Sequence, residues 1–210
     1  MKRALSHSSH YLNGVQATGP IWPVLRLAGL IFVLCLLYMP GFAGGEGFVT
    51  ADPYKVEAAF LRNFAHYVTW PAGAFAAPRS PWRIGILGRD PFGTVLENTL
   101  KGRTEQGRPF EIYRADTLEE LPECNIVFVA YRDGARRRAV LAELRGKPVL
   151  TVGDAAEFLQ EGGIIRFEVA DRVKMSINLD RAKSASLTIQ TKMLEVSDQV
   201  MENGVVRRLR

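Results

Sequence analysis

The chain has 210 residues, of which 27 are Lys or Arg and 22 are Asp or Glu, giving a formal net charge of +5. This length suits a single domain of ordinary size with a short additional segment. The charge excess is too small to predict nucleic-acid binding, and we interpret the run Arg136 to Arg138 as a solvated helix face rather than a phosphate-binding patch.

Residues 1–43 have the features of a secretory signal. Lys2, Arg3 and Arg26 supply positive charge without any acidic residue, and an uninterrupted apolar run follows from Leu27 to Met39. That run is shorter than the about 20 residues that a membrane-spanning helix needs. We therefore predict export of the protein, with an uncleaved membrane anchor as the alternative. Removing this leader leaves 24 basic against 22 acidic residues, a net charge of about +2.

Few residues suited to metal or nucleophile chemistry remain after the leader. Only Cys124 and His66 are left of the two Cys and three His residues in the chain. An internal disulfide is therefore excluded, a zinc site built from His and Cys would lack ligands, and a Ser/His/Asp triad would have to use His66. We predict no cofactor, a structural role for His66, and a buried Cys124, with a disulfide between two chains as the alternative for this cysteine.

A helix is predicted from Asp52 to Trp70. Asp52 can cap it, Pro53 can occupy its first position, where a missing N–H costs nothing, and Pro71 prevents its continuation. Apolar residues recur inside it at helical spacing, which predicts deep burial in the core. The aromatic residues assigned as determinants of the fold are Phe60, Phe64 and Trp70.

Short apolar runs alternate with helical patterns along the rest of the chain. Asp90 and Asp154 are each predicted to cap a helix that directly follows a strand, with Pro91 as the first helical residue after Asp90. The last two strands flank the tight turn Ala170 to Arg172 and are expected to be antiparallel. The predicted strands are 83–88, 110–114, 125–130, 148–152, 164–169 and 173–178.

This alternation predicts an α/β fold: a three-layer domain with a parallel or mixed central sheet between helices, ending in an antiparallel hairpin. We assign residues 44–196 to this single domain and expect 197–210 to be a flexible tail. In such a domain ligands bind at the carboxyl ends of the strands, where the loops 88–93, 130–133 and 153–154 should meet. The candidate ligand or partner contacts in these loops are Asp90, Phe92, Gly93 and Asp154.

These loops match no established phosphate or magnesium motif. The glycines at 85, 88 and 93 do not follow the G-x-G-x-x-G pattern, and the Asp90 carboxylate would stand where a phosphate should bind. No acidic pair follows the first strand, as a magnesium site of the signal-receiver type would need. An enzyme that uses Asp90 or Asp154 stays open as an alternative, but no spacing of residues favours it.

Six segments in order along the chain resemble the YfiR-like family of bacterial periplasmic proteins. They are Y-K-V-E-A-A-F-L-R-N-F-A at 54–65 with W-P at 70–71, I-G-I-L-G-R-D-P-F-G at 84–93, G-R-P-F at 107–110, P-V-L-T-V-G-D at 148–154, G-G-I-I-R-F at 162–167 and V-K-M-S-I-N-L at 173–179.

The resemblance implies a periplasmic regulator rather than an enzyme. Such a protein would repress an inner-membrane diguanylate cyclase through the periplasmic sensor region of the cyclase, lowering cyclic di-GMP and biofilm formation. The alternative is a periplasmic small-ligand sensor or carrier that uses the crevice at the strand ends. A homodimer is a further expectation.

Overall fold

The structure is a computed structural model that describes residues 52–209. The leader predicted for residues 1–43 lies outside these residues, as does the predicted domain boundary at residue 44. Within 52–209, no helix has the length and apolar character needed to cross a membrane. The described residues all fall within one compact unit.

Five helices and eleven strands follow one another along residues 52–209. The helices are α1 (Pro53–Tyr67), α2 (Thr94–Leu100), α3 (Gly134–Glu143), α4 (Leu179–Ser184) and α5 (Thr191–Glu195), with a 3₁₀ turn at Ala72–Ala74. The strands are β1 (Val68–Thr69), β2 (Trp82–Gly88), β3 (Thr104–Glu105), β4 (Arg108–Ala115), β5 (Ile126–Ala130), β6 (Leu150–Gly153), β7 (Ile165–Val169), β8 (Val173–Asn178), β9 (Thr188–Ile189), β10 (Gln199–Glu202) and β11 (Val205–Arg208).

Nine of the strands form one mixed sheet in the order β11-β10-β8-β7-β6-β5-β2-β4-β3. The strands β4, β2, β5, β6 and β7 are parallel, whereas β7 and β8 form an antiparallel hairpin. The prediction of a mixed α/β sheet with an antiparallel hairpin is thus confirmed. The chain runs from β2 outward to β4 and then returns to β5 on the other side of β2. The strand order therefore reverses at the carboxyl ends of β2 and β5.

Apolar residues on both faces of the sheet give the three layers. Ile84 and Ile86 belong to the larger buried cluster, which contains apolar residues of α1, α2, α4 and α5. Leu87, on the opposite face of β2, belongs to a second cluster with Leu141 of α3. Continuous apolar strands are expected where both faces of a sheet are covered.

Helix α1 contributes the aromatic part of the larger cluster. Asp52 accepts the N–H of Tyr54 at 3.1 Å and caps the helix. The ring of Phe64 is fully buried and lies 6.0 Å from that of Phe167, centroid to centroid. Phe60 is partly buried and lies 5.7 Å from the same ring, while the buried Trp70 contacts Trp82 at 4.9 Å.

The end of α1 differs from the sequence prediction. The helix ends at Tyr67 instead of continuing to Trp70. Val68 and Thr69 are extended because they pair with Ile189 and Thr188 in a separate two-stranded sheet. A pairing partner 119 to 121 residues away in sequence therefore overrides the local helical pattern.

The caps predicted at Asp90 and Asp154 are wrong. Helix α2 begins at Thr94 with Gly93 as its N-cap, so Asp90 and Pro91 lie outside it. No helix follows Asp154, because residues 156–162 form turns. The Phe158 ring packs so closely against Gly153 and Gly163 that a Cβ at either position would lie 2.6 or 2.2 Å from it. The segment therefore forms hydrogen-bonded turns around this ring, such as Phe158 N–H to the Ala155 carbonyl at 3.0 Å, instead of a continuous helix.

The structure of the C-terminal segment also differs from the sequence prediction. The expected flexible tail of residues 197–210 instead contains β10 and β11, which pair with each other antiparallel. Strand β10 also pairs with β8, in parallel. Backbone hydrogen bonding to the sheet and burial of Val200 stabilise this segment despite its polar composition.

Candidate functional site

A cavity of about 520 Å³ lies at the carboxyl ends of the central strands, where the strand order reverses. The loops that follow β2, β5 and β6 surround it, and the first turn of α1 closes one side. Crevices at this position are the usual ligand sites of open α/β sheets. The residues that border the cavity include Tyr54, Arg89, Pro91, Arg132, Asp154 and Glu157.

Of the four candidate contacts predicted from the sequence, only Asp154 borders this cavity. The Asp90 carboxylate accepts the N–H of Phe92 at 2.7 Å and binds Nε of Arg114 at 2.6 Å. Phe92 is buried, with its ring centroid 4.9 Å from that of Phe128. Gly93 is exposed, and its carbonyl accepts from Nη2 of Arg114 at 3.2 Å. These three residues therefore stabilise the loop after β2.

Glu57, which the sequence interpretation missed, is the most unusual residue near the cavity. It lies one turn after Tyr54 in α1 and is only 1% exposed. Its Oε2 has no hydrogen-bond partner among the described residues. Burial, and secondarily the negative charge of Asp154, raise the pKa of Glu57 to about 7. The sequence does contain a signal for this burial. Glu57 lies three residues after Tyr54 and four before Leu61, so helical spacing places its carboxylate on the apolar face of α1.

Arg137 connects α3 to two of the cavity loops. Its guanidinium binds both carboxylate oxygens of Glu161, with Nε to Oε2 at 2.7 Å and Nη2 to Oε1 at 2.9 Å. Nη1 donates to the carbonyls of Tyr131 and Arg132 at 3.1 and 2.7 Å. The hydrogen bond to Glu161 raises the pKa of Arg137. Arg137 is buried, so the predicted solvated face is wrong at this residue, whereas its neighbours Arg136 and Arg138 are exposed.

The mouth of the cavity presents unpaired charges of both signs. Arg89, Arg132 and Asp154 are exposed and make no side-chain hydrogen bond or ion pair with another described residue. Arginine binds anionic groups such as carboxylate and phosphate, and aspartate accepts hydrogen bonds from cationic or hydroxyl groups. The arrangement is therefore suited to binding a polar small molecule.

Cys124 and His66 lie away from this cavity. Cys124 is buried beside a second cavity of about 380 Å³ at the amino ends of β5 and β6, and burial raises the pKa of its thiol to about 11. His66 is exposed, and its Nδ1 lies 2.9 Å from Oε1 of Glu105, a contact that joins α1 to β3. Among residues 52–209, no three His, Cys, Asp or Glu side chains cluster closely enough to hold a metal ion.

A family model described as YfiR/HmsC-like matches residues 54–198, well over half of the chain. The matched segment begins in α1, includes every loop around the cavity and ends just before β10. No curated protein is similar enough to this chain to count as a match. By the extent of the family match, this chain belongs to the YfiR/HmsC-like family.

Proposed function

We propose that this protein is a periplasmic regulator that represses an inner-membrane diguanylate cyclase by binding the periplasmic sensor region of the cyclase. Repression would lower cyclic di-GMP in the cytoplasm and reduce biofilm formation. The observation that carries this proposal is the family match over residues 54–198. The secretory pattern of residues 1–43 supports it, because a protein that binds a periplasmic region must be exported.

The surface of the described domain is compatible with a role in binding. Function in this proposal lies in an interface rather than in a catalytic centre, so the protein acts as a regulator and not as an enzyme. The surface offers two features that a binding partner could use: the charged cavity mouth and the exposed C-terminal hairpin. A homodimer stays a prediction.

Deletion of the gene tests the proposal. We expect cyclic di-GMP and surface attachment to rise in the deletion strain and to return to normal when the gene is restored. A matched control restores the gene without codons 2–43, which would leave the protein in the cytoplasm and the concentration of cyclic di-GMP high.

The tagged full-length protein should also co-purify from membranes with a protein that joins a periplasmic domain to a diguanylate cyclase domain. Unchanged cyclic di-GMP without such a cyclase in the eluate would contradict the proposal.

A small-ligand sensor is the second candidate function, and the charged cavity favours it. Ligand binding to the folded state stabilises a protein by about 2.7 kcal/mol at a ligand concentration 100 times Kd. A panel of small polar metabolites should therefore contain compounds that raise Tm by several degrees. The double variant Arg89→Ala/Arg132→Ala should lose this shift, whereas Arg79→Ala, at another exposed arginine, should keep it. No shift with any compound would remove the support for this candidate.

A further inference from the structure

The C-terminal hairpin forms one edge of the nine-stranded sheet. Its strand β11 pairs with β10 on one side, and no described strand pairs with its other side. Asn203 and Gly204 form the turn, with φ of 53° and 71°, as two-residue hairpin turns require. The hairpin follows the segment matched by the family, which ends at residue 198. The family match therefore does not include this edge of the sheet.

The register identifies the free backbone groups of β11. Glu202 pairs with Val205 across the two-residue turn, and Val200 pairs with Arg207. The N–H of Leu209 donates to the carbonyl of Asp198 at 2.9 Å. Backbone groups in an antiparallel ladder point alternately to the two sides of a strand. Residues 205, 207 and 209 therefore bond toward β10, and residues 206 and 208 direct their N–H and C=O groups toward the open edge.

Side-chain contacts hold this edge in position. The Asp180 carboxylate accepts the N–H groups of Asn203 at 2.8 Å and Gly204 at 2.9 Å, and these bonds lower the pKa of Asp180. Nζ of Lys183 binds Oε1 of Glu202 at 2.8 Å. Both anchors come from α4, which packs beside β10. An edge already fixed in an extended conformation has little ordering entropy to lose when another strand pairs with it.

The side chains of β11 are apolar and basic. Val205 and Val206 are 56% and 52% exposed, and Leu209 is 48% exposed. Arg207 and Arg208 are exposed and have no ion pair with any described residue. Successive side chains point to opposite faces of the sheet, so each face carries an exposed valine next to an unpaired arginine. Charged residues at an edge can serve to prevent pairing, but half-exposed apolar residues on both faces favour a covered edge.

We propose that the open edge of β11 binds an extended segment of a partner protein, which adds a tenth strand to the sheet. The segment would carry apolar residues against the valines and acidic residues against Arg207 and Arg208. Strand addition to a sheet edge is a common mode of peptide recognition, in which backbone hydrogen bonds supply affinity and side chains supply specificity. This inference rests on the proposed function in one respect, that the segment belongs to the periplasmic sensor region of the cyclase.

A second copy of this chain fits the edge poorly. Antiparallel pairing in which Val206 of one β11 strand bonds to Arg208 of the other would place Arg207 of the two copies directly opposite each other, with Arg208 of one copy diagonal to Arg208 of the other. Strand β11 has no acidic residue to compensate them, and the nearest acidic side chain of β10, Glu202, is bound to Lys183. Charge complementarity therefore selects an acidic partner over a second copy.

Hydrogen exchange in the purified complex with the full-length cyclase in detergent tests the backbone part of the proposal. In the free protein the amides of Val206 and Arg208 should exchange quickly, and those of Val205 and Arg207 slowly. Binding should slow exchange at Val206 and Arg208. Unchanged exchange at these two amides in the complex would overturn the proposal.

Two variants test the edge independently. Val206→Pro removes an N–H that β10 does not use, a substitution that edge strands tolerate. Arg207→Glu/Arg208→Glu reverses the charge without altering the backbone. Each should weaken binding to the cyclase by roughly tenfold or more, because each removes bonds or charge pairs at the interface. The control Arg79→Glu/Arg145→Glu reverses two exposed arginines elsewhere and should bind normally. Equal Tm values would establish that the variants fold.

The outcomes separate the two proposals. A wild-type protein that does not bind the cyclase would contradict the proposed function. A wild-type protein that binds while both edge variants bind equally well would overturn the edge proposal alone. Light scattering measures the oligomeric state of the wild-type protein and of Val206→Pro. A wild-type dimer that becomes a monomer in the variant would identify a second copy as the occupant and would also overturn the proposal.

Discussion

Glu57 shows how one residue can make the stability of the fold depend on pH. Its carboxyl group is buried on the inner side of α1, one of its oxygens has no hydrogen-bond partner within residues 52–209, and its pKa is raised to about 7. A carboxylate in such a place is costly when charged, and protonation removes that cost. Glu57 thus changes charge near neutral pH, where most carboxylates stay ionised.

We predict that Glu57→Gln stabilises the protein at alkaline pH. Between the ordinary pKa of 4.5 and the raised pKa of about 7, the folded state holds a proton that the unfolded state releases. Stability must therefore fall as pH rises through this window and level off above it. Glutamine has no charge to bury, so at pH 8 the variant should gain on the order of 3 kcal/mol. Urea unfolding at pH 4.5, 6 and 8 measures the effect.

The control for this prediction is Glu123→Gln, which changes an exposed carboxylate. Its unfolding free energy should follow the wild-type pH dependence. Parallel pH profiles for the wild type and both variants would contradict the assignment of this window to Glu57.

Arg137 gives a second prediction at the scale of the residue. Removing one partner of a buried ion pair leaves the other charge uncompensated and costs about 3–5 kcal/mol. Arg137→Ala should destabilise the protein by this amount, because the Glu161 side chain is only 6% exposed. Arg138→Ala, which removes an exposed and longer contact of 3.5 Å to Glu161, should cost less than about 1 kcal/mol. Similar losses for the two variants in denaturant unfolding would count against a special role for Arg137.

At the scale of the element, the C-terminal hairpin depends on its turn. Gly204 has φ of 71°, and a Cβ added there would meet no atom within 4 Å. Gly204→Ala therefore adds backbone strain without a clash and should cost about 1 kcal/mol. Gly73→Ala is the matched control, because that position is equally open and has no positive φ. Equal Tm values for the two variants would show that the turn is not strained.

Elements formed by continuous apolar runs could be predicted from the sequence alone. The strands around Ile84 to Leu87 and Ile126 to Val129 need only local apolarity and burial on both faces. The hairpin of β7 and β8 has a local turn signal, and the structure confirms it. The crevice follows from topology, since parallel strands bring their carboxyl ends together.

Elements that depend on distant partners could not be predicted. Asp90 followed by Pro91 has the local signature of a helix start, yet Arg114 binds the aspartate from another strand. Strand β11 has only two valines followed by two arginines, without a longer apolar run, and is held in place by Asp180 and β10. Individual site residues are equally hidden, because the direction of Phe92 into the core depends on packing against Phe128. Topology predicted where the site lies, but not which side chains border it.

At the scale of the whole molecule, the cavity and the hairpin offer two separate surfaces. The cavity lies at the carboxyl ends of the central strands, and the hairpin lies at an outer edge of the same sheet. After removal of the predicted leader the chain is nearly neutral, with a net charge of about +2. A protein with so little net charge exerts only a weak overall attraction on an acidic partner. Attraction at the hairpin must therefore be local and come from Arg207 and Arg208.

This local origin predicts a particular salt dependence of the complex with the cyclase. Screening shortens the reach of exposed charges from about 10 Å at 0.1 M salt to about 3 Å at 1 M. The Kd of the wild-type protein should rise steadily over this range, because the arginines of β11 and the acidic residues of the partner become screened. Arg207→Gln/Arg208→Gln should bind more weakly at low salt and show a flatter dependence, so that the two proteins converge at high salt. An identical salt slope for both proteins would place the electrostatic attraction elsewhere on the surface, whereas convergence would locate it at the open edge of β11.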